Sequence, residues 1–359
     1  MDNSVRFNGI PSSNMPVVSP GDLPVLDAQE CRSYSLPMRS HHHFSFILCV
    51  ALLASWNSPS NGEKIPGVTR YVRFAHDEIV SYGILENDKV REINGDLFGK
   101  WDKTDKTYDL DEVKLLVPSR PTQIIAMAGN YKSHLGGEKG VTTTIVTTLT
   151  EITTNTKGNT TISEQEIATE TRVSGEVPEK FRFPQPFFKS PSCLLPEGGN
   201  IVIPQDAGVV HFEAEMVIVI SKKARNVSKA KALDFVLGVT CGNDISAREW
   251  QKNDVQWWRA KGTDTFGPCG PCIASGLDYD NLQMKLRLNG KVMQDENTSY
   301  LINDVRTTVS FISRHVTLNP GDLIFTGTPG TTSGIEPGDT VEVEIEGVGV
   351  LRNNVVAGK

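Results

Sequence analysis

The sequence predicts a mixed, mostly-β protein with few helices, and three observations carry that reading. Short segments alternate apolar and polar residues with period two, as in Tyr71-Val72-Arg73-Phe74. Others are continuous β-branched runs, of which Val217-Ile218-Val219-Ile220 is the strongest. The chain also carries 31 glycines and 20 prolines, many placed as turns between these segments. One stretch alone, about Lys229 to Val236, reads as a clear helix. At 359 residues the chain is long enough for one large domain plus a small one. A formal charge of -7 with no long basic run argues against nucleic acid as a partner.

Residues 1–62 read as a disordered leader: the part up to Pro37 is rich in Pro, Ser, Asn and Asp, without apolar period. Within the leader, residues 38–55 have the shape of a secretory signal. Met38-Arg39-Ser40-His41-His42-His43 is basic, Phe44 to Ala54 is apolar, and the exit is small and polar. The apolar run is too short to span a bilayer, so no membrane is expected as a partner of the mature form. Export follows if translation starts at Met38.

Residues 63–118 read as a small β-rich domain. Its strands are Tyr71–Phe74, Ile79–Leu85 and Lys89–Ile93, with turns at Asn87-Asp88 and Asn94-Gly95-Asp96. A buried strand, Gln123 to Ala128, then leads into Gly129-Asn130-Tyr131-Lys132-Ser133-His134. Residues 141–173 are crowded with threonine and poor in large apolar residues, which predicts an exposed insertion following His134.

From Ile201 strands dominate again. On a strand, side chains alternate between faces. In His211 to Ile220, Glu213 and Glu215 therefore project from one face while Met216, Ile218 and Ile220 line the other. Two close carboxylates resist joint ionisation unless a cation lies between them. Asp244, in Cys241-Gly242-Asn243-Asp244, offers a third carboxylate just past another apolar run. An all-oxygen trio suits a hard ion such as Mg2+, Mn2+ or Ca2+. The competing reading is an edge strand with a solvated acidic face, and Glu-x-Glu taken alone favours it. Leu286 to Val292 reads as a hairpin. Glu342, Glu344 and Glu346 repeat the alternating pattern with no Asp and Lys following, and read as a solvated strand face. Cys269-Gly270-Pro271-Cys272, a lone pair between turns, reads as inert packing rather than a metal or redox site.

From about Pro118 to Val356 the chain resembles the fumarylacetoacetate hydrolase family, which includes acylpyruvate hydrolases, oxaloacetate decarboxylases and dienoate isomerases. Six pieces occur in that family's order: Gly129–His134, Pro186-Phe187-Phe188-Lys189-Ser190-Pro191-Ser192, the Glu213/Glu215 strand, Asn243–Arg248, Ala260-Lys261-Gly262-Thr263-Asp264-Thr265-Phe266-Gly267-Pro268, and Phe325-Thr326-Gly327-Thr328-Pro329-Gly330. The resemblance implies a rolled β-sheet catalytic domain over residues 119–359, a homodimer, and a cytoplasmic location. It implies Glu213, Glu215 and Asp244 as ligands of Mg2+ (or Mn2+/Ca2+). His134 becomes the lid base that activates water, and Lys261 the charge beside a developing oxyanion. Tyr131, Arg248, Gln251 and Thr328 become substrate-binding residues, with Arg248 also orienting the Asp244 loop. Phe188 and Lys189 are expected near the cavity mouth.

The activity so implied is metal-dependent hydrolysis of a carbon–carbon bond in a small acylpyruvate-type 1,3-diketo acid, through an enolate. Substrates are small dicarboxylates or keto acids. The chain departs from the hydrolase pattern at Gly137, where members commonly carry a glutamate; Glu138 follows it. That departure keeps alternatives open on the same platform: an isomerase of the 2-hydroxyhepta-2,4-diene-1,7-dioate type, or an oxaloacetate decarboxylase. A non-catalytic metal or small-acid binding protein is the reading from another class.

Overall fold

The computed structural model describes residues 66–135, 141–154, 160–174 and 177–358. The leader with its signal-like segment, and both Gly137 and Glu138, lie outside the described residues.

Short β-branched segments cannot bury an apolar face alone, and among the described residues they pair into two large sheets and two two-stranded ones. The larger has twelve strands. Its main path runs Trp101–Asp109, Lys89–Gly95, Ile79–Glu86, Thr69–His76, Gly267–Ser275, Val236–Asn243, Ala214–Ile220, Leu323–Phe325, Ile124–Met127 and Pro186–Lys189. The N-terminal strands are therefore continuous with the rest of the sheet: Thr69–His76 pairs with Gly267–Ser275, Tyr71 opposite Ile273. The smaller, five-stranded sheet runs Asn200–Ile203, Gly349–Ala357, Thr340–Ile345, Gln283–Leu288 and Lys291–Asn297. Its hairpin turns at Asn289 and Gly290, with φ of 51° and 80°, as a tight two-residue connection requires.

The strand Ala214–Ile220 is central and buried on both faces, which overturns the edge-strand alternative. Met216, Ile218 and Ile220 join Met284, Leu286, Val341 and Val343 of the second sheet in one core cluster. Val217 and Val219 join Ile124, Leu323 and Phe325 in another. The alternation expected from the sequence is thus real, but both sets of side chains are covered.

Helices are few. Lys229–Phe235 forms tight 3-10 turns rather than an α-helix, with Lys231 N–H donating to Ser228 O at 3.0 Å. Only Ala232 of this segment is buried, too little apolar anchoring for so short an α-helix. The longest helix among the described residues, Val305–His315, escapes a strand-biased reading. Asp304 caps it by accepting from Thr307 N–H at 2.6 Å, and Val305, Val309 and Ile312 face the core. Residues Val141–Thr154 and Thr160–Ser174 pair antiparallel, Val141 opposite Ser174. Their threonine-rich composition suits strands because β-branched side chains fit an extended backbone.

Candidate metal centre and its cavity

The site grows from one pairing. In the antiparallel ladder of Ala214–Ile220 with Val236–Asn243, Ala214 faces Asn243 and Glu215 faces Gly242. The ladder is closed off by Glu213 N–H donating to Asn243 Oδ1 and Asp244 N–H donating to Glu213 O, both at 2.8 Å. Asp244, 31 residues from Glu213 in the chain, is brought directly across from it. Glu213, Glu215 and Asp244 each offer a carboxylate oxygen within 4.8 Å of the others, and all three are buried. The close approach needs Gly242, since a β-carbon there would fall 2.4 Å from Val217 Cγ2.

Cations surround this cluster unevenly. Lys261, on the short helix Trp258–Gly262, sits 2.6 Å from Glu213 Oε2 and 2.7 Å from Asp244 Oδ2. Arg248, opening the helix Arg248–Asn253, reaches Glu213 Oε1 at 2.7 Å. Lys189 lies 2.6 Å from Asp244 Oδ1 and also donates to the carbonyls of Lys261 and Phe266. Glu215 instead accepts the Gly327 N–H at 2.7 Å. The charges follow. Burial opposes ionisation of Glu213, but Lys261 and Arg248, with His134, outweigh it and hold its carboxyl well below the usual range. Burial, then Asp244 and Glu213, push Glu215 well above it. Lys261 would be lowered by burial, yet Asp244 and Glu213 raise it. A divalent cation fits this set: three hard oxygen donors converge, and Glu215 carries the charge that the two lysines and Arg248 leave least compensated.

Through Glu213 the cluster borders a cavity of about 250 Å³. Glu213, Arg248, Gln251, Lys261, Thr328 and His134 line its polar side; Met127, Leu135, Phe181, Phe187 and Trp257 line the rest. Phe187 and Trp257 meet edge to face at 5.2 Å. His134 Nδ1 lies 2.7 Å from Gly330 O. A carbonyl can only accept, so Nδ1 carries the proton and Nε2 presents its lone pair. Ser133 Oγ accepts Gly330 N–H at 3.0 Å, so the 133–134 turn is clipped to the Thr328–Gly330 loop from both directions.

The structure therefore brings His134, Lys261, Glu213, Asp244, Arg248, Gln251 and Thr328 together, with Glu215 beside them. It does not bring Tyr131 onto the cavity surface. The ring is fully buried and its hydroxyl has no hydrogen-bond partner among the described residues. Burial, with Glu215 and Glu296, pushes that hydroxyl far above its usual range. Arg248 pairs with Glu213, not with Asp244 as expected; Val210 and His211 pair with Ala247 and Ser246, which brings the two segments together. Its remaining bonds go to Gln251 Oε1 at 2.8 Å and Thr332 Oγ1 at 2.7 Å.

Two further expectations are corrected. Lys189 is not at the mouth but wholly buried beneath Asp244, while Phe188 points outward at 58% exposure and Phe187 lines the cavity. Period-two alternation explains the swap: Phe187 and Lys189 share the inward face of Pro186–Lys189. Glu342 and Glu344 are not simply solvated. Their face is salt-bridged to Arg352 and Arg287, the latter at 2.6 Å. Those cross-strand arginines offset the carboxylate charges without a metal. Cys269 and Cys272 are buried free thiols, and burial pushes both up, Cys272 to about 12.

Gln294, Gly327 and Asn243 were not legible as site residues, since each acts through a partner distant in sequence. Gln294 Nε2 donates to Thr328 Oγ1 at 2.9 Å.

Known proteins share this fold. A family model described as Fumarylacetoacetate (FAA) hydrolase C-terminal matches residues 156–356, and one described as Rv2993c-like, N-terminal matches residues 69–118. Protein Rv2993c of Mycobacterium tuberculosis is 36% identical over 269 residues, covering 74% of this chain and 87% of that protein. Oxaloacetate tautomerase fahd2, mitochondrial, of Xenopus laevis is 37% identical over 182 residues, covering 47% of this chain and 57% of that protein. The crystal structure of 2-hydroxyhepta-2,4-diene-1,7-dioate isomerase from Mycobacterium marinum superposes with a TM-score of 0.65 at 35% identity, over 81% of this chain and 100% of the other.

Proposed function

The chain belongs to the fumarylacetoacetate hydrolase family, a family of enzymes, and from that premise we propose that it performs enolate chemistry on a small keto acid. The favoured reaction is proton transfer between keto and enol forms, the isomerase or tautomerase class. One observation carries it: His134, its Nδ1 held by Gly330 O, lines the same cavity as Glu213 of the carboxylate cluster. The names of two relatives, an isomerase and an oxaloacetate tautomerase, support the same class.

A divalent ion held by Glu213, Glu215 and Asp244 would supply Lewis-acid polarisation of a keto oxygen and charge to offset an enolate. The chain's own residues do the rest. His134 Nε2 takes a proton from the carbon next to the carbonyl and returns it to another atom of the same substrate, while Gly330 O holds the Nδ1 proton. Lys261, kept protonated by Asp244 and Glu213, places a fixed ammonium beside the developing oxyanion. Arg248 and Thr328 border the cavity where a carboxylate would dock, and Phe181, Phe187 and Trp257 keep water from the enolate.

Hydrolysis of an acylpyruvate is the second reading, favoured by the family match over residues 156–356 and by the ability of Nε2 to take a proton from water. The deciding experiment is an assay of purified protein with Mg2+ or Mn2+. Enol-oxaloacetate, acetylpyruvate and a dienoate dioate would be offered, with Glu213→Ala/Glu215→Ala as control. Metal-dependent ketonisation or double-bond migration, absent from the control, supports the first reading. Release of pyruvate and free acid from acetylpyruvate alone would replace it with the second.

A further inference from the structure

Gln294 lies outside the cavity lining, on the strand Lys291–Asn297, and is 4% exposed. Its side-chain amide touches three groups. Ala214 N–H donates to Oε1 at 3.1 Å; Nε2 donates to Pro329 O at 2.6 Å and to Thr328 Oγ1 at 2.9 Å. Chemistry assigns both ends of this amide. A backbone N–H can only donate and a carbonyl can only accept, so turning the amide over would set donor against donor and acceptor against acceptor. Thr328 Oγ1 is therefore the acceptor in its bond to Gln294, and its own proton is directed elsewhere. Thr328 lines the cavity alongside Lys261 and Arg248.

The geometry points to Gln294 as a positioning residue that makes the Thr328 hydroxyl a committed hydrogen-bond donor to an anionic group of the substrate. This deepens the keto-acid reading and rests on it. The Ala214 N–H on Oε1 holds the amide in this orientation, so that Nε2 faces Thr328. A group that accepts, such as a carboxylate, is thereby favoured at Thr328, whose one proton is left free to meet it.

The test is oxalate binding to the full-length, Mg2+-loaded protein by titration calorimetry. Gln294→Glu replaces the donor with an acceptor of the same shape, so the Thr328 proton turns back toward residue 294. We expect Gln294→Glu and Thr328→Val each to weaken oxalate by roughly tenfold or more, the loss of one hydrogen bond to a charged group. Thr328→Ser, which keeps the hydroxyl, should retain most of the affinity. The Gln294→Glu/Thr328→Val protein should bind no more weakly than Thr328→Val alone, because Gln294 acts through Thr328. Gln294→Met, which adds no charge, gives a second arm with the same expected coupling should the glutamate variant fold poorly. Additive losses in both arms would overturn the positioning role. Failure of the wild type itself to bind oxalate would overturn the keto-acid reading and this assignment with it. The two failures are distinguishable, one appearing in the unsubstituted protein and the other only among the variants.

Discussion

Lys189 Nζ lies 2.6 Å from Asp244 Oδ1, and neither side chain is more than 1% exposed. Asp244 thus has one oxygen engaged from beneath by Lys189 and the other by Lys261. A buried lysine in this position is a structural support for Asp244, not a solvent-facing charge. Lys189→Met should cost about 3–5 kcal/mol of stability, because a buried carboxylate and two carbonyls each lose a charged donor. It should also weaken Mg2+ binding. Urea unfolding and calorimetry measure the two effects, and unchanged stability would show that the pair is dispensable.

Glu215→Gln should act in opposite directions on the free and the metal-loaded protein. The buried carboxylate is pushed up by burial and by its acidic neighbours, so a neutral amide relieves the metal-free fold at neutral pH while still accepting Gly327 N–H. Thermal unfolding without metal should shift upward, and the stabilisation by added Mg2+ should disappear. A Mg2+-dependent rise that survives in the variant would remove Glu215 from the ligand set.

Gly327→Ala should damage the same ligand from the backbone side. The residue has φ of 99°, and a β-carbon would meet Asn130 Cβ at 2.8 Å. The strained backbone should cost about 1–3 kcal/mol and displace the N–H from Glu215. Denaturant midpoints together with metal affinity check this, and a variant with both unchanged would contradict it.

Glu197 provides a pH signature away from the site. Burial pushes its carboxyl up to about 7, against the opposing hydrogen bond from Arg352 N–H at 2.5 Å. The folded state therefore holds a proton that the unfolded state releases at the ordinary carboxylate value. Stability from this group is complete below that value and is lost as pH rises through about 7. Glu197→Gln should melt like the wild type at low pH and above it at about pH 8. Parallel curves for the two proteins across that range would rule the effect out.

His134→Ala separates the chemical readings. Ketonisation and hydrolysis both need Nε2 as a base and should fall roughly 10²–10⁴-fold. Decarboxylation of oxaloacetate, which breaks its bond without a proton acceptor at that atom, should be partly retained. Equal loss of all three activities would mean that His134 serves binding instead of proton transfer.

Much of this protein was legible from sequence because its signals are local. The alternation in Tyr71–Phe74 and in Glu213–Ile220, and the Asn289-Gly290 turn, express preferences of neighbouring residues, and they survive into the structure. Glu213, Glu215 and Asp244 could be named as a trio because two of them share a strand face and the third follows an apolar run. The threonine-rich stretch could be recognised as unlike a core, although not as the regular strand pair it forms.

What the tertiary structure alone decided are the relationships between residues far apart in sequence. The ladder that sets Ala214 opposite Asn243 is what makes three carboxylates a cluster. The placement of Lys189 beneath Asp244, of Arg248 on Glu213, of Gly327 N–H on Glu215 and of Gln294 behind Thr328 depends on strand order and register. The same Glu-x-Glu pattern yields a metal-competent cluster at 213–215 and a salt-bridged face at 342–344. The difference lies in what faces each pair: another carboxylate in one case and arginines in the other. Local sequence sets which way a side chain points; only the assembled sheet sets what it meets there, and the electrostatics of the site follow from that.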